Sequence, residues 1–127
     1  MKIEINNQEL ELKRTLRTEM VYEDLFHSSL DPNNVTTTML VNLFIASVIA
    51  AQIRQNVHVM TKEEVMAWLE DDPIREMYVS KYSYEWIEEY TNYMKTVQAY
   101  YDEEQKQNKK KDKKSVTIET VDDVKKS

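Results

Sequence analysis

Met39-Leu40-Val41-Asn42-Leu43-Phe44-Ile45-Ala46-Ser47-Val48-Ile49-Ala50-Ala51 is the stretch on which the fold turns. Only Asn42 and Ser47 interrupt its apolar character. A surface helix confines its apolar residues to a stripe of about 100°, whereas these surround the axis, so the helix belongs at the centre of a core. A bilayer span needs about 20 apolar residues. Arg54 closes the run before that length. The stretch reads as a buried core helix over Val35–Gln55, not as a membrane segment.

Toward the N-terminus, Asp31-Pro32-Asn33-Asn34 and His27-Ser28-Ser29 form a loop, because Pro and the short polar residues favour turns. Thr15 can cap a helix running to about Phe26, with Leu16, Met20, Tyr22 and Phe26 as its inward stripe and Leu25 beside it. Met1–Lys13 alternates instead. Ile3 and Ile5 are two apart, as are Leu10 and Leu12, and Asn6-Asn7 lies between the pairs. Asn tolerates the left-handed backbone of a tight turn, so this segment reads as a β-hairpin.

Toward the C-terminus, Thr61-Lys62-Glu63-Glu64 is a capping box. It opens a short helix with Val65, Trp68 and Leu69 inward. Asp72-Pro73 starts the next, with Asp as cap and Pro at the first helical position. That last helix should run from about Pro73 to Tyr101 or Gln105, with a kink admitted near Ser80–Ser83. Tyr78, Tyr82, Trp86, Ile87, Tyr90, Tyr93, Met94, Val97, Tyr100 and Tyr101 fill nearly half its circumference, and Tyr84 falls outside that arc. Residues 102–127 read as a flexible charged tail with a β-prone island at Val116–Val121. The expected fold is therefore mainly α. A short N-terminal β-hairpin is followed by a bundle of four to five helices within residues 1–101, and then by the tail.

Composition excludes several chemistries. Cysteine is absent, so there is no disulfide and no thiolate metal site. Glycine is absent too, which removes glycine-rich phosphate loops and the nucleophile elbow. His27 and His58 stand in unrelated contexts, without the helical spacing that a zinc pair needs. The carboxylates Glu63/Glu64, Glu70/Asp71/Asp72 and Glu85/Glu88/Glu89 suit helix N-termini and solvent faces rather than a catalytic pair. No enzyme activity, metal or cofactor is expected. The net charge is −6, with 9 Lys+Arg against 16 Asp+Glu in residues 1–101 and 8 against 7 in residues 102–127. An acidic body repels phosphate backbones, so nucleic acid is not the expected partner. No basic and apolar leader stands at Met1–Leu10, so a signal peptide is not expected.

The tyrosine-rich helix admits two readings. Tyrosine buries its ring in a core while keeping its hydroxyl wet. Tyrosine and tryptophan are also enriched at interface anchors. The arc is wider than one core stripe, so Tyr82, Trp86, Tyr90 and Tyr93 are the candidate partner-binding residues, for a client helix or a second copy of the chain. Glu85, Glu88, Asn92 and Lys95 occupy the opposite, solvent-facing side.

The order of parts resembles the tail assembly chaperones of long-tailed bacteriophages. The resemblance rests on the hairpin Ile3-Glu4-Ile5-Asn6-Asn7-Gln8-Glu9-Leu10-Glu11-Leu12, and on Lys13-Arg14-Thr15-Leu16-Arg17 leading into Tyr22-Glu23-Asp24-Leu25-Phe26. It extends to Glu63-Glu64-Val65-Met66-Ala67-Trp68-Leu69-Glu70-Asp71. It covers about residues 1–72 and is architectural. Relatives often carry glycine where this chain has Asn7 and His27, and the long tyrosine-rich helix has no counterpart among them. The resemblance implies a non-enzymatic protein of the infected host's cytoplasm. It would hold the tape measure protein soluble during tail assembly, with the tail tube protein as a further partner. The alternative is a small structural or adaptor protein of a virion or another complex.

Overall fold

Two strands open the fold: β1 (Lys2–Ile5) pairs antiparallel with β2 (Gln8–Glu11), setting Ile3 opposite Leu10 and Ile5 opposite Gln8. The turn between them is Asn6-Asn7, both with positive φ, at 51° and 66°. Two such residues make the turn whose twist matches a hairpin, and asparagine accepts that backbone in a chain without glycine. Ile3, Ile5, Leu10 and Leu12 face the core.

The computed structural model describes residues 1–114, with side chains to residue 109. After the hairpin come α1 (Leu16–Phe26), α2 (Thr37–Gln55), α3 (Lys62–Asp71), a 3₁₀ turn (Pro73–Arg75) and α4 (Glu76–Lys114). The mainly α architecture with an N-terminal hairpin is as the sequence reads. The expected island at Val116–Val121 lies outside the described residues.

Local chemistry accounts for the helix ends. Thr15, Thr36 and Thr61 accept hydrogen bonds from the backbone N–H three residues on. The Thr61 cap is reciprocated, because Glu64 accepts from the Thr61 N–H at 2.9 Å. Those hydrogen bonds favour the carboxylate and hold the Glu64 pKa below its ordinary value. His27 and Asn56 end α1 and α2 in the left-handed conformation that glycine usually supplies.

The chain divides into a first unit, Met1–Tyr90, and a second that begins at Thr91. In the first unit α2 is the axis of the core. Leu43, Phe44, Ala46, Val48, Ala50 and Ala51 are all fully enclosed. The 19 residues of α2 would suffice by length and composition to cross a membrane, yet most of that length is covered by the protein's own elements. The outer edge of β2 is covered as well. Gln55 donates to the Glu9 carbonyl and accepts from the Glu11 N–H, at 2.9 and 3.1 Å, and Arg54 donates to the Glu11 carbonyl. An edge strand so occupied no longer offers free backbone groups to another chain.

Helix α1 departs from the expected stripe. Leu16 and Met20 are turned out, 70% and 67% exposed, while Thr18 and Tyr22 are buried with Val21, Leu25 and Phe26 partly so. The inward position of Thr18 is made tolerable by its hydroxyl, which donates to the Lys13 carbonyl at 3.2 Å and meets Thr15 Oγ1 at 3.2 Å. A periodicity argument that counts only apolar residues assigns that position to solvent.

Helix α4 also differs. It is preceded by the 3₁₀ turn that Asp72 caps, runs unbroken through Ser80–Ser83, and continues to Lys114. The Ser83 hydroxyl donates to the Val79 carbonyl one turn back, at 2.7 Å, so the serine is satisfied within the helix. Past Asp102, where composition predicts the flexible tail to begin, the residues are Glu, Gln and Lys, which are strong helix formers with no Pro or Gly among them. Gln98 donates to Asp102 at 3.0 Å across the last turn before this segment.

Candidate functional site

The four aromatic residues singled out by sequence are not one surface. Tyr82 and Trp86 are 1% and 2% exposed and belong to the core of the first unit. The Tyr82 ring meets Phe44 edge-on, with centroids 6.4 Å apart, and its hydroxyl lies 2.8 Å from Ser47 Oγ. Ser47 in turn donates to the Leu43 carbonyl at 2.8 Å. A serine hydroxyl has one proton, so the consistent chain runs from Tyr82 to Ser47 to the Leu43 carbonyl. Burial holds the Tyr82 hydroxyl protonated well above its ordinary range, only partly offset by the Ser47 hydrogen bond.

Tyr90 is half-buried. Its ring stacks on Trp86 at 5.2 Å with an interplanar angle of 11°, and the Arg14 guanidinium sits 5.5 Å from its centroid. The Arg14 backbone N–H donates to Glu89 at 3.2 Å, which fastens this turn of α4 to the segment before α1. The expectation that Tyr82 and Trp86 present a face to a partner is corrected by this burial. A phenol whose hydroxyl finds a serine inside the core has no need of water, so the wide aromatic arc is consumed in part by the protein itself. Tyr93, in the second unit, is 45% exposed.

The exposed apolar side chains lie elsewhere, and three groups stand out. The first is a groove of the first unit with a volume of about 410 Å³, lined by Leu40 and Val41 of α2, Met66 of α3 and Val79 of α4. Glu70 and Glu76 also line it. The second is the outward face of α1, where Leu16 and Met20 adjoin Val21. The third is on α4 in the second unit, where Tyr93, Met94, Tyr100 and Tyr101 are exposed and Val97 is half-buried. Met66, a flexible unbranched side chain at the groove, is the kind of residue that adapts to different apolar partners.

Electrostatics add a sign to the groove. The first unit carries 8 Lys+Arg against 16 Asp+Glu, a net charge of −8. A larger opening of about 820 Å³ near the hairpin turn is lined by Glu4, Glu64, Asp71 and Asp72. Its one cationic lining residue, Arg75, is held 4.2 Å over the Trp68 ring, and Trp68 stacks on Tyr78 at 6.1 Å. Among the described residues no group of three or more His, Cys, Asp or Glu could hold a metal ion.

Sequence reasoning missed the groove because its lining comes from three helices. Leu40, Met66 and Val79 each look like ordinary core positions in their own helix, and only their juxtaposition makes a concave surface. Compared with family models, curated proteins and solved structures, the chain finds no match.

Proposed function

We propose that this protein is a non-enzymatic tail assembly chaperone of the long-tailed phage kind, acting in the host bacterial cytoplasm. In this reading it seats an apolar helix of the tape measure protein and keeps it soluble. The observation that carries the reading is the groove of Leu40, Val41, Met66 and Val79 within an acidic unit. An amphipathic helix binds by laying its apolar stripe into such a groove. The acidic surroundings favour a client with basic flanks, and they add encounter rate and selectivity more than affinity. The order of hairpin, acidic-aromatic helix, apolar helix and Trp-Leu helix over residues 1–72 supports the same reading.

The test is co-expression with the apolar segments of the tape measure protein, followed by measurement of the soluble client fraction and of affinity in vitro. The parent chain should raise the soluble fraction. Val41→Asp and Met66→Asp should weaken binding roughly thirtyfold or more, the scale of losing an interface anchor. Their melting temperatures should stay close to the parent's, because Val41 is only half-buried and Met66 is exposed. Full client binding by both variants sinks the groove as the seat, and no gain in soluble client sinks the chaperone reading. Recovery of the chain from purified particles favours the structural or adaptor alternative.

A further inference from the structure

We propose that a second copy of this chain docks antiparallel on α4, centred near Val97. The docking face is the exposed apolar stripe of the second unit: Tyr93, Met94, Val97, Tyr100 and Tyr101. Tyr93, Val97 and Tyr100 are spaced four and three apart, and Met94, Val97 and Tyr101 three and four apart. That alternation of three and four is the period with which one helix presents a seam to another. The side chains are large, and Tyr100 and Tyr101 are 65% and 56% exposed, which is the kind of contiguous apolar surface that marks an interaction site.

Charge complementarity identifies the occupant and its direction. Glu85, Glu88 and Glu89 precede the stripe, and Lys106 and Lys109 follow it, with Lys110, Lys111, Lys113 and Lys114 next in sequence. A parallel pair sets glutamates against glutamates and lysines against lysines. An antiparallel pair about Val97 sets Glu88 opposite Lys106 and Glu85 opposite Lys109, and does so at both ends by symmetry. The exchange is self-complementary, as a two-fold interface requires. Glu88 is exposed, while Glu85 lies 3.5 Å from the Met1 amine and Glu89 accepts from the Arg14 N–H. The acidic end is therefore anchored in the first unit of each copy, and the lysine run of the other copy is its natural counter-charge. This face is separate from the groove, so the inference does not depend on the chaperone reading.

The chain has no cysteine, which makes the direction of pairing directly testable in the full-length protein. In an antiparallel pair Thr91 of one copy lies opposite Glu103 of the other, while the two Thr91 residues are about 18 Å apart along the axis at ~1.5 Å per residue. A short bis-maleimide should cross-link a mixture of Thr91→Cys and Glu103→Cys chains efficiently and either variant alone poorly. Sedimentation of the parent should show self-association in the range of about 10–100 μM, weakened by added salt as solvent-exposed charge pairs are screened. Val97→Asp should weaken that association roughly thirtyfold or more at an unchanged melting temperature. Efficient cross-linking of Thr91→Cys alone means a parallel pair and overturns the proposal. A parent that stays monomeric across that range, or association untouched by Val97→Asp, overturns it as well.

Discussion

Helices α2 and α4 are both rich in apolar residues, yet they relate to the core in opposite ways. In α2 the buried residues are nearly continuous from Leu43 to Gln52. Four of them, Ala46, Ser47, Ala50 and Ala51, are small, so neighbours can approach from every side. In α4 burial is confined to Tyr82, Ser83 and Trp86, and the remaining large side chains are half-buried or exposed. The difference teaches that an all-round apolar helix has one physical solution, to be surrounded, whereas a tyrosine-rich helix has two. A tyrosine ring can be enclosed if its hydroxyl finds a partner, as Tyr82 finds Ser47, or it can stand in water, as Tyr84 does at 75% exposure.

The contrast is most easily broken at its strongest point. Leu43→Asp or Val48→Asp would place an unpaired charge at a fully enclosed position, with an expected loss of about 3–5 kcal/mol or more, enough to unfold a domain of ordinary stability. Urea or thermal unfolding measures this, and a variant melting within a degree or two of the parent would remove α2 from the centre of the core. On α4 the same measurement on Trp86→Ala should show a loss of about 3–5 kcal/mol, the range for emptying a buried aromatic site. A surface-like response there would mean that the indole is not part of the first unit's core.

Tyr82→Phe sharpens the comparison at the point where the two helices meet. It keeps the ring and removes one hydrogen bond, for an expected loss of about 1 kcal/mol near neutral pH. The pH dependence carries a clearer signature. Folding raises the Tyr82 pKa, so its contribution is fully present below the unfolded value of about 10 and is lost as pH rises above it. Between the two values the folded state keeps a proton that the unfolded chain releases. The parent's stability should therefore fall above about pH 10 by up to ~1.4 kcal/mol per pH unit from this group, a component missing in the phenylalanine variant. Parallel stability curves for parent and variant over that range would show that the hydroxyl ionises as freely inside the fold as outside it.

The smallest expected effect completes the series. Tyr84→Ala and Tyr100→Ala remove exposed rings from α4 and should change stability by no more than about 0.5 kcal/mol in dilute solution. A loss comparable to that of Trp86→Ala would place those rings in a core and erase the distinction between the two parts of the helix.

The local elements were legible in the sequence because each depends on a few neighbouring residues. Asn6-Asn7 supplies a left-handed turn between two alternating pairs, Thr61 and Glu64 satisfy one another's backbone, and Asp72 precedes a proline. The central place of α2 was legible for a related reason, since water is excluded from all sides of a helix only by surrounding it. What tertiary structure alone decided was which side of an ambiguous helix is covered. Leu16 and Met20 were given up to solvent so that Thr18 and Tyr22 could pack inward, because Lys13 and Thr15 satisfy the Thr18 hydroxyl. Tyr82 and Trp86 were taken into the core, and the exposed apolar positions fell to the groove of three helices and to the second unit. Those outcomes depend on polar partners and neighbouring surfaces from distant segments, which periodicity along a single helix does not contain.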